Sequence, residues 1–226
     1  QLNAAHPKVM VKLGEERAHS TNHLLYIDDL KLLATDEDAL ASMVDTTKRF
    51  FKTVGLEMNT AKSATNALAC AASGELLEGA QAYKYLGVLE NANSVPTRES
   101  FERIRKKMIG RAERLCNTKL NARNLFRGLN EHALSVANSH IGALRLGQAD
   151  LERIDHEIRQ VLSLKGIHMQ PACKERLYLP RDKLGRGLHS VASRAEQMTL
   201  SLWETLKAGV GVSTRQAAIV AYENAA

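Results

Sequence analysis

The chain of 226 residues is short of cysteine and of long apolar runs. Its three cysteines, Cys70, Cys116 and Cys173, are odd in number and far apart. That argues against a disulfide framework and for a reducing, intracellular compartment, nuclear or cytoplasmic. A zinc pattern is also lacking, since His168 and Cys173 stand close in sequence with no second pair to complete four ligands. No stretch approaches the roughly 18 to 20 apolar residues of a membrane span, so no membrane partner is expected. The opening Gln1-Leu2-Asn3-Ala4-Ala5-His6-Pro7 has neither a signal-type apolar core nor an initiator Met, and Gln1 is read as a cut point.

At 44% hydrophobic content the chain can bury a sizeable core, in one or two domains, and is not disordered on composition. The net charge of +6 is unevenly spread. Residues 1–97 hold 9 Lys+Arg against 12 Asp+Glu, net −3, whereas residues 98–226 hold 22 against 13, net +9. An acidic first part and a basic second part suit, respectively, a cation site and a partner carrying phosphates.

The first part is organised around His23-Leu24-Leu25-Tyr26-Ile27-Asp28-Asp29-Leu30-Lys31-Leu32-Leu33-Ala34, two short apolar runs with adjacent carboxylates between them. Leu24 to Ile27 and Leu30 to Ala34 pair as strands, and the turn presents Asp28 and Asp29 at the sheet end. Aspartate is common in turns because it bonds its own backbone, so a plain polar hairpin stands as the alternative. Residues 8–19 form a short alternating strand before it, ending in a turn at Gly14. Afterwards Thr35 is an N-cap with acids in the first turn, and Leu40, Met43, Val44, Thr47, Phe51 and Val54 recur at helical spacing until Gly55. Asn66 to Cys70 is read as a strand, and Tyr83-Lys84-Tyr85-Leu86-Gly87 as a tyrosine-rich strand with a glycine for close approach.

The polar run before Pro96 is the boundary. From Arg98 to Arg127 there are ten Lys+Arg against three Glu. Phe101, Ile104, Met108, Ala112 and Leu115 make one apolar stripe, with Arg103, Lys106, Lys107, Arg111 and Arg114 gathered elsewhere on the same helix. Such a face is either a solvated surface or a track for a nucleic-acid backbone. Ala133 to Leu144 and Leu151 to Leu162 follow as packing helices, then a segment Arg176 to Leu188 rich in arginine and glycine. A final helix runs from about Ser190 to Lys207 with Trp203 buried.

Four of these segments, in order, resemble boxes of one polymerase family. Tyr26-Ile27-Asp28-Asp29 resembles the YxDD box of reverse transcriptases, and His23 to Ala34 is similar to that of non-long-terminal-repeat, site-specific LINE-type retrotransposons. Gly55-Leu56-Glu57-Met58-Asn59-Thr60-Ala61-Lys62-Ser63 resembles the family's G-L-x-x-N-x-x-K-S/T turn, Ala82 to Val88 its Y-K-Y-L-G primer grip, and Arg176 to Leu188 its segment after the thumb. The resemblance implies an α+β chain: residues 1–96 a partial palm, an antiparallel sheet with a covering helix; 97–206 an all-helical basic thumb; 207–226 a linker and short terminal helix. It implies Mg2+, or Mn2+ in its place, on Asp28 and Asp29, with Lys62 near the phosphates of a deoxynucleoside triphosphate. Tyr83, Lys84, Tyr85, Leu86 and Gly87 would hold the DNA primer and the thumb cations the duplex with its RNA template.

One departure bears on activity. The family needs a further palm aspartate and fingers ahead of the hairpin, and none of the 22 residues before His23 resembles them. The expectation is a carboxy-terminal portion, inactive unless the amino-terminal half is supplied. A domesticated, non-catalytic RNA- or DNA-binding remnant is the alternative.

Overall fold

A computed structural model describes residues 2–13, 17–141, 144, 146–169 and 171–208; for residues 11–13, 17–19, 203 and 206–208 it describes the backbone only. The chain is mixed α+β and divides into two compact units, Gln1–Val95 with Trp203–Ala226, and Pro96–Leu202. Expectations for the Trp203 side chain and for a linker and terminal helix beyond Ala208 lie outside the described residues.

The first unit begins with a single helical turn, α1 (Leu2–Ala5), and a hairpin of β1 (Val9–Leu13) and β2 (Arg17–Thr21), so the stretch read as one strand and a turn holds two strands. Next comes the hairpin of β3 (His23–Tyr26) and β4 (Asp29–Leu32), with Leu25 opposite Leu30 and Tyr26 opposite Asp29. Ile27 is thus in the turn, not the strand. Helix α2 (Glu37–Thr53) is capped by Asp36, whose carboxylate accepts from the Ala39 N–H at 2.8 Å. Thr35 is therefore not the cap; its hydroxyl instead donates to Asp36 at 2.8 Å.

Asn66 to Cys70 is not a strand either. A two-residue strand β5 (Ala64–Thr65) pairs in parallel with β6 (Glu75–Leu76), and between them Leu68–Ser73 winds as a 3₁₀ helix that lies against α2. The hairpin of β7 (Ala82–Tyr85) and β8 (Val88–Asn91) completes the unit. Among the described residues these strands form four separate two-stranded ribbons, not one sheet. Met43, Thr47, Ala67, Cys70, Val88 and Leu89 are its buried centre.

One fully buried polar residue ties this unit's start together. The Asn22 amide donates to the Leu2 and His6 carbonyls at 3.0 and 3.2 Å, anchoring the end of α1 to the hairpin. A buried amide is tolerated only when its hydrogen bonds are made, which these contacts accomplish.

The second unit is helical. Its helices are α3 (Arg98–Cys116), α4 (Ala122–Gly128), α5 (Gln148–Leu164), the single turn α6 (Glu175–Tyr178) and, through Leu202, α7 (Val191–Ala208). Phe101, Ile104, Met108 and Ala112 of α3 are buried together with Leu151, Ile154, Ile158 and Leu162 of α5, as helical spacing predicts. Ala133 to Leu144 is not a regular helix: Leu129–Ala133 is a π turn and Leu134–Ala137 a 3₁₀ turn. Leu129, Ala133, Leu134, Val136 and Ala137 are all buried, more faces than one α-helical stripe supplies.

Candidate functional site

The β3–β4 hairpin closes through the two residues Ile27 and Asp28, so Asp28 sits at the tip and Asp29 opens β4. Both aspartates are exposed. Ile27 has φ +57° and is 83% exposed, a left-handed conformation that a β-branched residue adopts only under strain. In the β7–β8 hairpin both turn residues, Leu86 at φ +47° and Gly87 at φ +90°, are left-handed, the pattern of a type I′ turn. Glycine meets that requirement at no steric cost; leucine does not.

No backbone ladder joins these two hairpins, yet side chains do. Lys31 of β4 makes an ion pair with Glu90 of β8, and its ammonium lies 5.1 Å from the centroid of the Tyr85 ring. Both partners of the pair are about four-fifths buried, their side chains 21% and 19% exposed. The Tyr83 hydroxyl donates to the backbone carbonyl of Lys62. Burial and then the negative charge of Asp29 push the Tyr83 phenol up, and burial, Asp29 and Glu90 do the same to Tyr85.

The residues singled out from sequence are thus partly gathered. Asp29, Tyr83, Tyr85 and the Lys62 backbone share one neighbourhood, with Asp28 adjoining on the turn. Lys62 itself closes a 3₁₀ turn (Thr60–Lys62) capped by Asn59, and its side chain is exposed; what the tyrosine meets is its carbonyl. Lys84, Leu86 and Gly87 are exposed on the second hairpin. Lys31 and Glu90 were not picked out, though each is a charged residue interrupting a short apolar strand, which is the signal that marks them.

Asp28 and Asp29 offer the carboxylate oxygens that a hard cation such as Mg2+ takes. Among the described residues, however, no three His, Cys, Asp or Glu side chains gather as a metal-binding group, at His168 and Cys173 or elsewhere. The carboxylate pair therefore fits as part of a ligand set and not as a whole one.

On α3 most of the basic side chains separate from the core. At about 100° per residue, Arg103, Lys106, Lys107 and Arg114 cluster on the side opposite Phe101, Ile104, Met108 and Ala112, whereas Arg111 is half-buried beside Ile104 at the edge of the apolar stripe. Arg103 pairs with Glu99 at 3.3 Å and Arg111 donates to the His132 carbonyl at 2.7 Å. Lys106, Lys107 and Arg114 are exposed, with no ion pair among the described residues. Arg105 points the other way, bridging Glu102 at 2.7 Å and Glu157 at 2.5 Å between α3 and α5.

The Arg176 to Leu188 segment folds onto itself. The Arg186 and Leu188 N–H groups donate to the Arg176 and Leu177 carbonyls, each at 2.9 Å, and a Cβ on Gly185 would lie 1.9 Å from the Leu179 carbonyl oxygen. Its glycine serves backbone packing. The nearby carboxylate of Asp155, buried on α5, accepts from the Ser190 hydroxyl at 2.7 Å and from the Val191 and Ala192 N–H groups at 2.8 and 3.2 Å. It caps α7 from another helix.

Comparison of the chain with family models, with curated proteins and with solved structures gave no match. Among the described residues no helix is long and apolar enough to cross a membrane.

Proposed function

We propose that the chain is a palm-and-thumb portion of an RNA-directed DNA polymerase of the non-long-terminal-repeat retrotransposon kind. The observation that carries the reading is the approach of three boxes distant in sequence: the Tyr83 hydroxyl holds the Lys62 turn, and Lys31, two residues after Asp29, pairs with Glu90 and lies over the Tyr85 ring.

In this reading Asp28, free at the turn tip, is the principal metal ligand and Asp29 a second ligand or a positioning group. Mg2+, or Mn2+, would supply Lewis-acid stabilisation and alignment of the phosphates of a deoxynucleoside triphosphate. Lys62 would neutralise the departing phosphate charge, and Tyr83 to Gly87 would seat the end of the DNA primer. Arg103, Lys106, Lys107, Arg111 and Arg114 would follow the backbone of the primer on its RNA template. Two carboxylates are too few, so the reading takes a further aspartate, with the fingers, from outside the described residues, in the parent polypeptide or another one.

The test is primer extension on an RNA template with Mg2+ by the chain joined to the amino-terminal polymerase half. Extension is expected, and Asp28→Ala should lower it at least about a hundredfold, the several kcal/mol that metal stabilisation supplies. Retained extension in Asp28→Ala contradicts the assignment. A non-catalytic nucleic-acid binder is the second reading, favoured by the three unpaired cations of α3 alongside an incomplete ligand set. It predicts primer-template binding that Asp28→Ala leaves intact and no extension under any supplementation.

A further inference from the structure

A cleft of about 760 Å³ runs along α5, and none of its lining residues belongs to the carboxylate hairpin or to α3. His156, Arg159, Gln160 and Ser163 line it from the helix, and His168 and Lys174 from the stretch that follows. The helical four recur at three- and four-residue spacing, so they form one stripe. That stripe is turned well away from Leu151, Ile154, Ile158 and Leu162, which pack the core. Packing therefore does not explain the choice of residues there.

His156, Arg159, Gln160, Ser163, His168 and Lys174 bring hydrogen-bond donors to the cleft, Pro171 and Ala172 bring apolar surface, and no carboxylate lines it. Arg159 gives one Nη1 hydrogen to the Tyr178 hydroxyl at 2.7 Å, which fixes its guanidinium and leaves further N–H groups of the fork unspent. Gln160 and His156 are linked at 3.0 Å through Nε2 of each. The nearest acid in the sequence, Glu175, is 3.7 Å from Lys174 and accepts the Cys173 thiol hydrogen at 3.1 Å, so it offsets part of the Lys174 charge at the rim. Residues 96–202 hold 20 Lys+Arg against 11 Asp+Glu, a surplus that draws anions toward the unit as a whole.

We propose that this cleft binds a phosphate group, held by Arg159 and Lys174 with His156, His168 and Gln160 as further donors. A planar guanidinium beside a point-charge ammonium, with neutral donors filling in, suits a tetrahedral anion whose several oxygens each accept. The phosphate belongs either to a nucleic-acid strand or to a free phosphate compound. The proposal stands whether or not the chain is part of a polymerase, because it uses none of Asp28, Asp29 or Lys62.

The experiment follows the His156 and His168 imidazole signals of the full chain by NMR at constant ionic strength. Three probes are titrated: inorganic pyrophosphate, a single-stranded oligonucleotide with a 5′-phosphate, and the same strand with a 5′-hydroxyl. Saturable shifts of both histidines are expected with at least one probe, and Lys174→Gln should weaken that probe at least about fivefold while Lys52→Gln, at an exposed position of α2 with no part in either site, leaves it unchanged. Equal response to both strands identifies backbone phosphate, response to the phosphorylated strand alone a strand end, and response to pyrophosphate alone a free compound. His156→Ala, at another exposed position, provides a second variant that should weaken the same probe. No saturable shift with any probe overturns the proposal, and so does equal weakening by Lys52→Gln and Lys174→Gln.

Discussion

Ile27 occupies a left-handed turn position at φ +57° while its side chain is 83% exposed, so nothing it packs against offsets the strain. Such a placement costs about 1 to 2 kcal/mol for a residue other than Gly or Asn. Replacing it with Asn should raise the thermal midpoint of the first unit, a gain of about 1 kcal/mol by calorimetry; an unchanged or lowered midpoint would deny the strain. Gly185 is the opposite case, since a methyl there meets the Leu179 carbonyl, and Gly185→Ala should destabilise the second unit by about 2 to 3 kcal/mol in urea unfolding. Neither effect could be read from sequence, because both depend on which backbone approaches which. Asp28 and Asp29 were legible as exposed turn carboxylates because aspartate between apolar strands has nowhere else to go. Asp155 was not legible. It sits in a strongly amphipathic helix one step from the apolar stripe, and only the arrival of α7 turns it from a surface acid into a cap.

At the scale of elements, side chains rather than a ladder hold the two hairpins together. Lys31 and Glu90 are mostly screened from water, so their coupling should exceed that of an exposed pair, at about 1 to 2 kcal/mol in a double-mutant cycle with Lys31→Met and Glu90→Gln. Additive single effects would mean that the hairpins do not depend on the pair. The long helices were legible because their apolar residues recur at 3.6: α3 and α5 bury the stripes their spacing marks. Short elements were less so. Thr35 and Asp36 are both capping residue types, and the carboxylate that reaches the Ala39 N–H decides between them only in three dimensions. The two-residue strands around Leu68–Ser73 have too few residues to show any period, and residues 129–137 bury too many faces for a single one.

At the scale of the whole molecule, charge is divided between an acidic first part and a basic second part, and stability and binding respond to that division differently. Arg98 grips Asp150 with two contacts of 2.6 and 2.7 Å, and this hydrogen bonding holds the Asp150 carboxyl below the usual carboxylate range. A lowered folded-state value adds stability above the ordinary range, which is lost as pH falls through the folded value. Arg98→Ala should therefore cost at most about 1 kcal/mol at neutral pH, and the difference from the parent should hold down to the ordinary aspartate range, about pH 4, and shrink only on further acidification through the lowered folded-state value. A difference that persists in strong acid would assign the effect to packing. The change in charge balance near residue 97 was legible from composition, but the separation of the described strands into four two-stranded ribbons was not, since strand pairing across a sheet is set by distant residues. On the proposed reading, the Asp28–Asp29 turn and the Tyr83 to Gly87 hairpin would form one metal-dependent site. It is tested most directly by titrating the full chain, bound to a primer-template, with Mn2+ while following paramagnetic broadening of backbone signals. The account predicts that Ile27 to Asp29, Lys62 and Tyr83 to Gly87 broaden first and together, and that Asp28→Ala removes the effect; broadening that begins elsewhere, or that survives Asp28→Ala, contradicts it.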